Sequence, residues 1–176
     1  MTLPNAITIA RILLIPVIAW LIAERRFDIA LPTLFFTGMS DAVDGYIARR
    51  LGQTSRLGAI LDPIADKGLL ITVYLALAYA RAIPIWIVVL VIGRDIIIVL
   101  GALLLTLLKR RREFPPTTWG KISTFYQLML AGGAVWRGAY PEWMPVPVLV
   151  FFVAGVTVAT VISGFDYVRR GAGWSA

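Results

Sequence analysis

The sequence contains no cysteine and no histidine. The first absence excludes disulfides and thiolate chemistry. The second removes the commonest general base and the commonest zinc ligand. Any catalysis must therefore run on carboxylates, Lys, Arg, Tyr, Ser or Thr. Acidic residues are also scarce, with ten Asp and Glu among 176 residues against seventeen Lys and Arg. Four of those ten crowd into one short stretch, as Asp41, Asp44, Asp62 and Asp66.

What the chain has in abundance is apolar surface. Hydrophobic residues make up 59% of it and the mean hydropathy is +0.82, more than a soluble domain of this size carries. Several runs reach the roughly 20 residues that a helix needs to cross a hydrocarbon core. The sequence predicts an all-α integral membrane protein: six transmembrane helices in one bundle, forming a single membrane domain over residues 1–176 with no separate soluble domain. The spans are expected at 6–23, 29–49, 58–80, 83–108, 121–140 and 145–168, with a possible kink at Pro16. The first run follows only a few residues, lacks a basic leader and carries Arg11, so no cleavable signal is expected.

The net charge of +7 admits nucleic-acid binding or attraction to anionic lipid. The second fits better, because the charges lie in short links between apolar runs, and no nucleic-acid partner is expected. Six spans put Arg11, Arg49, Arg50, Arg56, Lys67, Lys109, Arg110, Arg111, Arg112, Lys121, Arg169 and Arg170 on one side. The other side receives Arg25, Arg26, Arg81 and Arg137, and Arg94 falls inside the fourth span. The excess of basic residues makes the first side cytoplasmic. Both aspartate pairs lie on it, so the chemistry is expected to face the cytosol near the headgroups, at a bacterial inner membrane or on the matrix side of an organelle. The run Lys109–Arg112 reads as a topology anchor that also attracts anionic lipid. Trp119, Trp143 and Trp174 suit interfacial positions.

Carboxylates beside a bilayer are costly and point to function. Asp41 and Asp44 are three apart, and Asp62 and Asp66 four apart, so each pair shares a helix face. A short link makes the two helices antiparallel neighbours, which can bring all four acids together. Left unneutralised, they would repel one another. Oxygen ligands without His or Cys select hard ions such as Mg²⁺ or Mn²⁺. Two such ions could clamp a pyrophosphate and stabilise an in-line displacement. Gly45 costs about 1 kcal/mol against Ala in a helix, a cost that close approach of a ligand would offset. Ala48 extends that shallow face, Gly58 can act likewise, and Arg49 can pair with a phosphate oxygen. Each residue also has a structural reading. Asp62-Pro63 can be an N-cap followed by proline at the first helical position, Asp44 and Arg49 an interfacial ion pair, and Gly45 a packing residue. Those separate readings do not account for the whole set at its fixed spacing.

The string Asp41-x2-Asp44-Gly45-x2-Ala48-Arg49-x8-Gly58-x3-Asp62-x3-Asp66 resembles the signature of the CDP-alcohol phosphatidyltransferases at every defined position. The segment from Leu3-Pro4-Asn5 through Thr8 to Arg11 resembles the family's opening, and Gly120-Lys121 through Gln127 its entry to the fifth span. The resemblance implies a six-helix bundle, usually a homodimer, that transfers a phosphatidyl group from CDP-diacylglycerol to an alcohol and releases CMP. It implies metal ligation by Asp41, Asp44 and Asp62, with Asp66 near or in the shell and acting as general base. It assigns the CDP moiety to Asp41, Gly45, Ala48, Arg49, Gly58 and Asp62, with Asn5, Thr8 and Arg11 lining the nucleotide entrance.

The acceptor divides two branches that this chain resembles. One uses glycerol 3-phosphate and carries Arg-Glu in the fourth span with a second Arg about two turns on. Here Arg94-Asp95 stands at the first place and Ala102 at the second. A phosphomonoester dianion needs more positive charge than a phosphodiester, so the missing Arg favours phosphatidylglycerol as acceptor. The stretch Ala78–Pro84 also resembles that cardiolipin-forming branch. Arg56, Arg94 and Lys121 are the candidate acceptor-binding residues; Arg94 has a structural reading too, pairing with Asp95 or carbonyls to hold the bundle, but an Arg deep in a span usually faces a cavity. Tyr126 and Ser123 read as packing or hydrogen-bonding residues. A small membrane transporter is the non-enzyme alternative, but its coupling acids would be expected near the bilayer midplane.

Overall fold

A computed structural model describes the backbone of residues 3–51, 56–107 and 117–172, and the side chains of residues 10–40, 65–101, 117–167 and 169. Among the described residues there are six α-helices and no strands. They are α1 (Leu3–Ala23), α2 (Phe27–Leu51), α3 (Arg56–Tyr79), α4 (Ile85–Leu107), α5 (Thr118–Ala139) and α6 (Val146–Ala172). Each coincides with one apolar run expected from the sequence. By length and composition, Val146–Tyr167 is long and apolar enough to cross a membrane, and Ala10–Ala23 is a shorter apolar helix.

The chain divides into two compact units. One contains residues 1–83 and 131–144, and the other 84–130 and 145–176. In the first, α1 packs against both α2 and α3. Buried residues of α1 recur as Arg11, Ile18 and Ile22, with half-buried Ile15 between them. That spacing keeps one helix face inward. Val73, Tyr74 and Leu77 form the matching buried face of α3. Both α1 and α3 end in the same way. Arg26 N–H donates to Leu21 C=O, Ala82 N–H donates to Leu77 C=O, and Arg25 and Arg81 adopt φ of 58° and 60° between them. These are left-handed caps that turn the chain within a few residues. A turn this short makes α2 run antiparallel to α1. At Gly138, any Cβ would collide with the Phe27 ring, so glycine is what lets that ring bury itself.

In the second unit, α4 packs against α6. The start of α5 is capped by Thr117, whose Oγ1 accepts a hydrogen bond from Gly120 N–H at 3.0 Å. That N-cap contact starts the helix three residues ahead of the apolar run. Ser123 and Thr160 share a buried hydrogen bond at 3.0 Å, and Gln127 Nε2 donates to Ser123 Oγ at 3.1 Å. Ser123 is therefore a hydrogen-bonding residue of the core, and Gly155 leaves room for the Tyr126 ring.

Candidate active site

The four aspartates lie on two helices of the first unit, Asp41 and Asp44 on α2 and Asp62 and Asp66 on α3. Asp41 comes ten residues before Leu51, the last of α2, and Asp66 ten residues after Arg56, the first of α3. The contact between α1 and α3 pairs Arg11 with Asp66 and Ile15 with Gly68. Both numbers rise together, so α3 runs parallel to α1 and antiparallel to α2. Asp62 and Pro63 lie inside α3 rather than at its start. The helix begins at Arg56, so Asp62 does not serve as its N-cap.

Asp66 is the one aspartate of the four whose side chain is among those described. Arg11 Nη1 donates to its Oδ1 at 3.0 Å, with side-chain exposures of 4% for Arg11 and 53% for Asp66. The side chains of Asn5, Thr8, Asp41, Asp44, Gly45, Ala48, Arg49, Arg56, Gly58 and Asp62 lie outside the described residues, and so does the run Lys109–Arg112. Their helices are known: Asn5 and Thr8 precede Arg11 on α1, Gly45, Ala48 and Arg49 follow Asp44 on α2, and Arg56 and Gly58 open α3. Among the described side chains no three potential metal ligands come together. The four carboxylates that α2 and α3 carry are an all-oxygen donor set, the chemistry that suits Mg²⁺ or Mn²⁺.

Arg94 and Lys121 belong to the second unit. Arg94 Nη1 donates to Asp95 Oδ1 at 2.7 Å, and its Nη2 donates to Ser163 Oγ at 2.7 Å. Its Cζ lies 5.6 Å from the centre of the Tyr167 ring. The Tyr167 hydroxyl in turn accepts from Thr117 N–H at 3.4 Å. A Cβ on Gly120 would come within 3.2 Å of Arg94 Nη2, so the absence of a side chain there makes room for the guanidinium. Arg94 thus joins α4 to α6, and Lys121 is exposed.

Sequence reasoning did not pair Arg11 with Asp66, 55 residues away. The available signal was an arginine in an otherwise apolar run, which needs a partner once buried. For Ser163 and Tyr167 the only hint was polar atoms on a long apolar helix.

The CDP-alcohol phosphatidyltransferase family profile matches residues 1–163. Human "Cardiolipin synthase (CMP-forming)" is 33% identical over 187 aligned residues, covering 96% of this chain and 62% of that protein. "CDP-diacylglycerol--glycerol-3-phosphate 3-phosphatidyltransferase" of Haemophilus influenzae is 33% identical, covering 91% of this chain and 89% of that protein. "Cardiolipin synthase (CMP-forming)" of Streptomyces coelicolor is 30% identical, covering 77% of this chain and 68% of that protein. The chain thus spans about three-fifths of the human relative's length and most of the Haemophilus one's. On this match along nearly its whole length, the chain belongs to the CDP-alcohol phosphatidyltransferase family.

Proposed function

We propose that the chain transfers a phosphatidyl group from CDP-diacylglycerol to phosphatidylglycerol, forming cardiolipin and releasing CMP. What supports the transfer reading is a set of four aspartates, two on α2 and two on α3, in a member of this family. Asp41, Asp44 and Asp62 would hold two Mg²⁺ or Mn²⁺ ions, with Asp66 at the edge of the site. Once bound, the ions would neutralise the pyrophosphate and polarise the phosphorus under attack. Asp66 takes the proton of the acceptor hydroxyl, which is too weak a nucleophile without a base. The hydroxyl oxygen bonds to the phosphatidyl phosphorus as the bridging oxygen leaves with CMP. Gly45, Ala48 and Gly58 leave space for the cytidine diphosphate, Arg49 pairs with its phosphate, and Asn5 and Thr8 line its entrance. Arg56, the first residue of α3, would supply positive charge for the acceptor phosphate.

The setting is a membrane. Large apolar side chains stand exposed on every helix, among them Leu13, Phe36, Leu75, Val89, Phe125 and Phe151. Six spans that cover these surfaces with lipid, with the aspartates on the basic, cytoplasmic side, account for them. Lys109–Arg112 would meet anionic headgroups there, and a homodimer is the proposed assembly.

Transfer to glycerol 3-phosphate is the second reading. The Haemophilus relative that bears this name is spanned over 89% of its length. The choice between acceptors rests on Ala102, which stands where a second cationic side chain would help to bind a dianion. One assay decides. Purified protein receives CDP-diacylglycerol with either acceptor, and the lipid product is identified by mass. Cardiolipin and CMP from phosphatidylglycerol are expected. Exclusive use of glycerol 3-phosphate would overturn the acceptor assignment, and no CMP with either acceptor would favour the transporter.

A further inference from the structure

The buried face of α1 carries a charged contact that the transfer chemistry leaves unexplained. Arg11 is 4% exposed, yet its Nη1 donates to Asp66 Oδ1 at 3.0 Å, and Asp66 remains 53% exposed. We propose that Arg11 is a positioning residue. It fixes the Asp66 carboxylate at the depth where the acceptor hydroxyl is deprotonated, and it does not touch the nucleotide. The inference rests on the assignment of Asp66 as base made above.

The unequal exposure of the two partners sets the direction of the dependence. A guanidinium removed from water requires counter-charge, and Asp66 supplies part of it to Arg11. The half-open carboxylate keeps contact with water and would stay solvated without Arg11. What Arg11 supplies to Asp66 is therefore a fixed place more than a solvation shell. The same burial argues against the nucleotide-entrance role that the family resemblance implies for Arg11, because so enclosed a side chain has little surface to offer a ligand.

Arg11 is set in a packed helix face. It continues the inward stripe of Ile15, Ile18 and Ile22 on α1. One turn beyond it, Ile15 Cδ1 lies 3.8 Å from where a Cβ on Gly68 would stand, so the two helices are in close contact beside the pair. On α3, Asp66 precedes the buried Val73, Tyr74 and Leu77 by whole turns. A carboxylate tied across two packed helices is held more narrowly than one on a loop. Losing that tether would cost turnover, since misplacement by about 1 Å can lower a rate about 100-fold.

The test compares Arg11→Met, Arg11→Lys, Asp66→Ala and the double variant Arg11→Met/Asp66→Ala. CMP release is measured at varied CDP-diacylglycerol, together with the thermal midpoint of each metal-free protein. Arg11→Met is expected to lower kcat about 10- to 100-fold with KM for CDP-diacylglycerol within about twofold of wild type. Arg11→Lys is expected to recover part of the loss. In the thermal arm, Asp66→Ala takes a counter-charge from a buried guanidinium and lowers the midpoint by about 5 °C or more, and the double variant falls by less than the sum of the two single losses. A raised KM at unchanged kcat would overturn the inference and return Arg11 to the nucleotide entrance. Additive midpoints would overturn it as well, because the two residues would then not be coupled. Wild-type protein that releases no CMP would refute the transferase reading, and with it any positioning role, whatever the thermal cycle gives.

Discussion

The Asp66→Asn variant is expected to fold and to bind divalent ions, yet to release CMP about 10²- to 10⁴-fold more slowly than wild type. Asn retains the size of Asp and an amide oxygen in place of Oδ1, so Arg11 Nη1, now 3.0 Å from that atom, keeps an acceptor. What disappears is the group that takes a proton. The chain has no histidine and no cysteine to replace it, so residual activity should not depend on a substitute base of those types. Initial CMP release at saturating CDP-diacylglycerol and acceptor measures the effect, and a single cooperative thermal transition shows that the fold is intact. Full turnover by this variant would remove Asp66 from the base role.

Replacement of Asp41, Asp44 or Asp62 by Asn should act through the ions instead. Removing a group one shell away from a metal already costs about 10- to 100-fold in affinity or activity, so each of these changes is expected to cost about 100-fold or more. It should also move the Mg²⁺ or Mn²⁺ concentration for half-maximal activity upward, and excess Mn²⁺ should recover part of the loss. Asp66→Asn should leave that midpoint close to wild type. The contrast separates ligands from base: three variants shift the metal curve, and one lowers its plateau. Metal curves that coincide for all four variants would contradict the division of labour.

Both expectations depend on the fold of the first unit, and much of that fold is legible in the sequence. Runs of about 20 apolar residues broken by Arg, Gly and Pro fix six helices, because a helix that long among apolar neighbours has no other way to satisfy its backbone. The ends are less legible. The helices α1, α2 and α3 extend beyond the apolar runs to Leu3, Leu51 and Arg56, since polar residues continue a helix without adding hydropathy. Thr117 caps α5 through its hydroxyl, a local signal that hydropathy does not register. The alternative that Asp62-Pro63 opens a helix fails for a related reason. The pair suits an N-terminus, but the chain is already helical six residues earlier, at Arg56.

Pairings across helices are what the sequence withholds. The bond between Arg94 and its neighbour Asp95 was one of two open readings, but its second bond, to Ser163, spans 69 residues. The partnership of Arg11 and Asp66 spans 55. Periodicity shows that each charge is set in an apolar face, and only packing shows which opposite group reaches it. The aspartate motif was legible because its chemistry is local: spacings of three and four put acids on one side of a helix, and a short link returns the chain. The acceptor is less legible, since it turns on whether one position, Ala102, carries a cation.

The most direct measurement follows CMP release by the purified protein from CDP-diacylglycerol with phosphatidylglycerol, first in excess chelator and then with Mg²⁺ or Mn²⁺ restored. The account predicts no release above background in chelator and recovery of both CMP and cardiolipin when either ion returns. Undiminished release in chelator would contradict it.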